Sequence, residues 1–224
     1  MLKISAFIHA KGNSKRLPNK NTKLIDGKPL FSYALENALE SKLINEVFID
    51  SDSELILEQG KSLGAKRLKR PNYLANNSAS GDDLMYWQAS NSKDADIVLQ
   101  VVPTSPFISS KSIDNAISLL IDSQMNSVVG VSSEVFYRWE NGKPIYYQNG
   151  RIPNSNEMEP IIFETTGLYI NKRQFVLKEK KRMDPNSCKP YFLSKIEAID
   201  INNEEDFNLA EIIVLGKKKL NLKI

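Results

Sequence analysis

The residue types best suited to chemistry crowd into one early stretch, His9-Ala-Lys-Gly-Asn-Ser-Lys-Arg-Leu-Pro-Asn-Lys-Asn21, where Lys11, Lys15, Arg16 and Lys20 share a turn opened by Gly12. Four cations gathered this way suit a polyanion. Gly12 lets backbone N–H groups approach phosphate oxygens, Ser14 adds a hydroxyl donor, and the lysines act as point charges. A triphosphate fits that description, and an ordinary solvated basic loop is the plain alternative. The stretch is neither GxxxxGK[ST] nor GxGxxG, so kinase and dehydrogenase chemistry fall away.

Three further segments add polar groups. Arg70-Pro-Asn-Tyr-Leu-Ala75 leads into the polar run Asn76 to Gly81, where the Arg70 fork could meet a phosphate or a base edge, a surface ion pair being the favoured reading of that residue alone. Val101-Val-Pro-Thr-Ser-Pro106 ends an apolar run in a turn stiffened by two prolines, offering Thr104 and Ser105 as donors. In Ala198-Ile-Asp-Ile-Asn202, strand alternation sends Asp200 and Asn202 to one side. A carboxylate beside an amide oxygen suits Mg²⁺, which takes few protein ligands and completes its shell with water and substrate phosphates. Glu204, Glu205 and Asp206 are explained by the dipole of the helix they open.

Composition narrows the choices. The 224 residues are 41% hydrophobic and 25% charged, with 30 Lys and Arg against 27 Asp and Glu, which describes one globular domain of net charge +3. The basic residues are scattered apart from two short clusters, so no nucleic-acid partner is expected. Cys188 is the sole cysteine, which excludes a disulfide framework and a thiolate zinc cage and suits a cytoplasmic setting. His9 is the sole histidine, which excludes a histidine base with a histidine orienter. No stretch approaches the roughly 18 apolar residues of a membrane span, so no membrane partner is expected.

These segments need a scaffold, and apolar runs of strand length alternate with stretches of helical period. The pattern predicts an α/β fold with a mostly parallel, Rossmann-like sheet flanked by helices on both faces. Strands are expected at 3–10, 46–50, 65–69, 96–102, 127–132, 161–170 and 192–200. Helices are expected at 29–41, 53–63, 82–92, 109–124, 171–181 and 204–215. Ligands of such sheets sit beyond the carboxyl ends of the strands, where the basic loop leaves the first strand. From Ser133 to Pro160 the composition shifts to aromatics, Asn, Gly and Pro, with hairpin signals at Asn141-Gly142 and Asn149-Gly150, and reads as an insertion. The lysine-rich end, 217–223, is expected to fray.

Taken in order, the segments resemble the CMP-sialic acid synthetase (acylneuraminate cytidylyltransferase) family. Its pattern, Ala-Arg-Gly-Gly-Ser-Lys-x-x-Pro-x-Lys-Asn, then Arg-Pro-x-x-Leu-Ala, Gln-Pro-Thr-Ser-Pro, Asn-Gly-x-x-Tyr and Ile-Asp-Ile-Asp-Thr-Glu-Glu-Asp, is answered here at 10–21, 70–75, 103–106, 166–169 and 199–206. The resemblance covers nearly the whole chain. It implies CTP as donor, a small acidic sugar as acceptor, Mg²⁺ as metal, pyrophosphate as leaving group, and a homodimer joined through the 133–160 insertion. By position, Lys11, Gly12, Ser14, Lys15, Lys20 and Asn21 would hold the nucleotide, with Arg70, Ala79 and Ser80 completing its pocket. Thr104, Ser105, Thr166 and Tyr169 would line the sugar side, Asp200 and Asn202 would hold the metal, and Lys11, Lys15, Lys20 and Asp200 would carry the catalysis.

The departures bear on the acceptor. Asn202 stands where the family has a second aspartate, Lys11 replaces an arginine, Val102 replaces a glutamine, and Thr166 replaces an asparagine. These changes leave open another ulosonic acid, a phosphonate, or a nucleotide-binding homologue of reduced activity.

Overall fold

A computed structural model describes residues 2–76, 78–147 and 150–222. Along the chain the elements are β1 (Ile4–His9), β2 (Leu24–Ile25), β3 (Lys28–Pro29), α1 (Leu30–Leu39), β4 (Glu46–Ser51), α2 (Glu54–Ser62), β5 (Lys66–Lys69), α3 (Asn72–Ala75) and α4 (Gly81–Asn91). There follow β6 (Ile97–Val101), α5 (Ser110–Asp122), β7 (Ser127–Glu134), β8 (Trp139–Glu140), β9 (Lys143–Pro144), β10 (Ile161–Lys172), α6 (Arg173–Glu179), β11 (Cys188–Phe192) and α7 (Glu204–Lys219).

Seven strands form one sheet in the order β11-β7-β10-β6-β1-β4-β5. β10 alone runs antiparallel to its neighbours β6 and β7, and the other pairings are parallel. The near-continuous apolar runs of β1 and β6 are those of strands covered on both faces. Ile4, Ala6 and Ile8 pack on α1, α2 and α5, while Phe7 turns to the opposite face with Met85 of α4 and Val176 of α6. This is the expected mostly parallel sheet between two helical layers. A third cluster joins Leu17, Ile25, Leu30 and Phe107 to Ile201 and to Phe207, Ala210 and Val214 of α7. It fastens the basic loop to the carboxyl-terminal helix.

Two expectations about the end of the chain are corrected. The last strand is Cys188–Phe192, which pairs with β7, and not 192–200. After Leu193, Ser194 and Glu197 close a turn in which the Ser194 hydroxyl lies 2.8 Å from the Glu197 carboxylate, and the chain leaves the sheet. The lysine-rich end does not fray at Lys217. α7 runs to Lys219, Lys218 pairs with Asp26 at 2.8 Å, and the Lys217 ammonium sits 5.7 Å from the Phe107 ring centre. Lys223 lies outside the described residues.

In the insertion, Asn141 and Gly142 both take left-handed backbone, φ 51° and 75°, and join β8 to β9 as the tight hairpin turn that pair of residues signals. Asn149 of the second signal lies outside the described residues.

Candidate active site

The site is organised around a backbone clamp. Ile201 donates its N–H to the Thr104 carbonyl at 2.8 Å and accepts the Lys20 ammonium on its own carbonyl at 2.6 Å. Three segments far apart in sequence thus meet at one buried residue, whose side chain belongs to the third apolar cluster. Asp200 and Asn202 flank the clamp and are both half-buried. The Asn202 amide nitrogen donates to the Asp200 carboxylate at 2.7 Å.

The sequence groups Lys20 with the loop cations expected to face polyphosphate. It is instead buried, with its ammonium committed to Ile201. Burial pushes its pKa below the ordinary lysine value, Asp200 and Asp206 pull it back up, and Arg16 adds to the lowering. The charge therefore lies beside Asp200 and acts on that pocket while the side chain braces it. Lys15 and Arg16 remain exposed, and Lys11 and Ser14 are half-exposed.

Local contacts fix the rest of the loop. The Gly12 N–H donates to the Asp52 carboxylate at 2.8 Å, and the Asn21 amide donates to the Lys11 carbonyl at 2.8 Å. A side chain at position 12 would meet Ser53 Cβ at 2.9 Å, so glycine is needed for the loop to lie against the end of β4.

Arg70 corrects another expectation. Rather than opening to a ligand, it is 3% exposed and spends its guanidinium on Asp50, with Nε 2.8 Å from the carboxylate and Nη2 3.1 Å from the backbone carbonyl. Asp50 also accepts from the Gln88 amide at 2.7 Å, and Gln88 in turn accepts from Gln100 at 2.9 Å. Burial pushes the Asp50 carboxyl above the usual range, and the Arg70 charge and the hydrogen bonds from Arg70 and Gln88 oppose that rise. His9, at the end of β1, is held neutral. Burial first, then Arg70 and Arg182, lower its pKa to about 3, and its Nδ1 is buried with no hydrogen-bond partner among the described residues.

The acceptor-side residues lie on a bulge in β10. From Glu164 to Tyr169 this strand advances five residues while β7 advances two, from Val131 to Val129. Thr166 at the bulge is exposed with φ 59°, a strained conformation for a β-branched residue and an easier one for the asparagine of the family pattern. Gly167 presses on the Pro103–Pro106 turn: its carbonyl accepts the Val102 N–H at 2.9 Å, and a Cβ there would lie 2.6 Å from the Ser105 hydroxyl. Ser105 is fully buried, and its hydroxyl has no partner among the described residues. Tyr169 is also buried. Its hydroxyl donates to Glu164 at 3.2 Å, and the Arg182 guanidinium lies 4.2 Å from its ring centre. Burial is the main reason its pKa rises to about 12.

Ala79 and Ser80 stand before α4. The Ser80 hydroxyl accepts from the Asp83 N–H at 3.1 Å and caps that helix, so its side chain is already engaged. Hollows of about 480 and 440 Å³ lie around Lys172 and Gln174, where the parallel strands begin, and contain none of these residues.

Residues 5–218 match the defining pattern of a family described as cytidylyltransferase. The chain belongs to the cytidylyltransferase family. It is 30% identical over 229 residues to an N-acylneuraminate cytidylyltransferase of Escherichia coli, covering 99% of this chain and 54% of that protein. To a CMP-N,N'-diacetyllegionaminic acid synthase of Legionella pneumophila it is 30% identical over 241 residues, covering 94% and 95%. N-acylneuraminate cytidylyltransferase A of Danio rerio is 27% identical over 221 residues, covering 95% and 51%, so the chain spans about half the length of the first curated relatives it matches. Among solved structures, CMP:2-keto-3-deoxy-manno-octonic acid synthetase complexed with CTP superposes with a TM-score of 0.72 at 16% identity, covering 96% of this chain and 99% of the other. That likeness establishes the fold.

In this member of the family, Asp50, Gln88, Gln100 and Arg182 are not legible along the chain, because each meets its partners on other elements. The available signal was polarity out of place: Asp50, Gln88 and Gln100 interrupt apolar stretches. The expected Mg²⁺ finds one suitable group. Asp200 offers a half-buried carboxylate, and Mg²⁺ completes its shell with substrate phosphates and water. Asn202 does not add an oxygen as placed, because its amide nitrogen faces Asp200. Among the described residues no three acidic, histidine or cysteine side chains gather at one point.

Proposed function

We propose that this chain transfers CMP from CTP to the anomeric hydroxyl of a nonulosonic, sialic-acid-like 2-keto sugar acid and releases pyrophosphate. The observation that carries the reading is the Ile201 clamp, which ties the basic loop and the Thr104 turn together beside Asp200 at the carboxyl ends of the central strands.

Lys11, Lys15 and Arg16 line the loop that would receive the triphosphate, and Gly12 leaves its backbone close to the end of β4. As pyrophosphate departs, negative charge grows on its oxygens, and cations already fixed nearby stabilise it without reorganising. Lys20 adds a charge held in place from behind. Thr104, Thr166 and Tyr169 border the acceptor side. Asp200, together with substrate phosphates, would hold Mg²⁺, which when bound supplies further positive charge to the phosphates.

Purified protein should release pyrophosphate from CTP only with Mg²⁺ and a sugar acid present. N-acetylneuraminic, N,N'-diacetyllegionaminic, pseudaminic and 3-deoxy-manno-octulosonic acids form the panel. Turnover with UTP or ATP but not CTP rejects the donor, and silence across the panel rejects the acceptor class. The engagement of Asn202 with Asp200 favours a second reading, a homologue of weakened metal affinity. Turnover raised in Asn202→Asp supports it, and unchanged turnover rejects it.

The reading includes a homodimer. Its support is the exposed apolar side chains in and beside the insertion, Phe136, Trp139, Ile145, Ile152, Ile162 and Phe163, because exposed apolar surface of this kind marks interaction sites. Sedimentation of the wild type as a monomer at micromolar concentration rejects it.

A further inference from the structure

Arg182 is held with unusual completeness for a residue with no evident task. Its backbone N–H donates to the Asp82 carboxylate at 3.0 Å, and its carbonyl accepts from the buried Asn171 amide at 2.8 Å. The guanidinium lies across the Tyr169 ring, with its central carbon 4.2 Å from the ring centre. Gly81 at the start of α4 leaves room for it, since a Cβ there would stand 2.5 Å from Nη1. Two backbone hydrogen bonds and two side-chain contacts, shared between α4 and β10, therefore hold this residue in place.

What is missing is an anion. The residue is half-buried, and among the described residues no carboxylate lies within ion-pair distance of its guanidinium, whereas its neighbour Arg70 is fully neutralised by Asp50. Partly desolvated charges are ordinarily paired, and a preorganised one without a partner marks the place of a charged ligand. His9 supplies a second sign, because its buried Nδ1 is also unpartnered among the described residues and its ring feels the Arg182 charge. Arg182 lies on the Tyr169 ring, and the unpartnered His9 at the end of β1 feels its charge.

We propose that Arg182 binds the carboxylate of the acceptor sugar acid. This rests on the functional reading above and adds a residue to it. A planar fork stacked on an aromatic ring presents two parallel N–H groups, which matches a carboxylate. The polyphosphate already has the cations of the loop after β1, whereas Arg182 lies across the ring that borders the acceptor.

The experiment takes whichever ulosonic acid of the panel the wild type turns over fastest and measures KM separately for it and for CTP. Arg182→Gln should raise the acceptor KM about 10- to 100-fold, the worth of a charged hydrogen-bonded pair, and leave the CTP KM within about twofold. Arg182→Lys should recover only part of that loss, because an ammonium lacks the fork. Gly81→Ala should raise the acceptor KM while keeping the charge, since only the tip of a flexible side chain must move. The wild type should also discriminate the acid from its methyl ester, and Arg182→Gln should lose most of that discrimination. An unchanged acceptor KM in Arg182→Gln overturns the inference alone. A raised CTP KM with the acceptor KM unchanged overturns it in favour of a phosphate. A wild type that turns over no ulosonic acid removes the functional reading and this inference with it.

Discussion

The pocket around Ile201 and the insertion between β7 and β10 are built on opposite principles. In the pocket, polar groups are buried and tied across long stretches of chain: Lys20 reaches Ile201, Arg70 reaches Asp50, and Gln100 reaches Gln88. In the insertion, contacts are local and the large side chains are outside. β8 and β9 are two-residue strands joined by Asn141-Gly142, and Trp139 is 64% exposed. A buried polar network fails if one member is lost, because the remaining group is left without a partner in a medium of low dielectric. An exposed apolar surface costs the monomer little when altered and matters only to whatever covers it.

The sharpest way to break this contrast is Arg70→Met, which leaves the Asp50 carboxylate buried and unpaired. Unfolding in urea should show a loss of about 3–5 kcal/mol, and adding Asp50→Asn should return much of it. A loss below about 1 kcal/mol would mean that the network is not tightly coupled.

Next is Lys20→Met, expected to lower kcat by about 100- to 1000-fold in the pyrophosphate-release assay, since it removes both a charge near the phosphates and the brace on Ile201. Full activity would show that the clamp is dispensable.

His9 gives a smaller effect with a definite sign. Its folded pKa of about 3 lies below the ordinary 6.5, so between those values the unfolded chain takes up a proton that the folded chain refuses. The contribution is intact above pH 6.5 and is lost as pH falls toward 3. Between pH 7 and pH 5 the wild type should lose about 2 kcal/mol more than His9→Gln, read as the difference between their urea midpoints multiplied by m. Parallel pH profiles for the two proteins would contradict it.

The smallest change in folding stability belongs to the insertion. Trp139→Ser with Phe163→Ser should move unfolding of the single chain by only about 0.5 kcal/mol, as surface substitutions do, while shifting sedimentation from dimer to monomer. A large loss of chain stability without a change in assembly would reverse the contrast between the two regions.

Much of this architecture was legible along the chain because it rests on local chemistry. Apolar runs bounded by polar turns marked β1, β6 and β7, and Ser109 and Asn203 cap α5 and α7 as serine and asparagine do at helix starts. The basic loop, the Thr104 turn and Asp200 were also visible, since their residue types are unusual for the positions they hold. The misreading at 192–200 arose because Leu193, Ile196 and Ile199 suggest a strand, while Ser194 and Glu197 close a turn whose effect depends on the end of β7.

The sequence alone determined the alternation of strands and helices and the pooling of cations at one sheet edge, because period and charge are properties of neighbours. Only the tertiary structure decided where those charges point. Lys20 and Arg70 turned inward, because Ile201 and Asp50 offered partners in the interior, and Arg182 was left across the Tyr169 ring with no carboxylate at ion-pair distance among the described residues. Those pairings join positions as far apart as 20 and 201, and the free energy that selects them exists only once the sheet has brought both ends together.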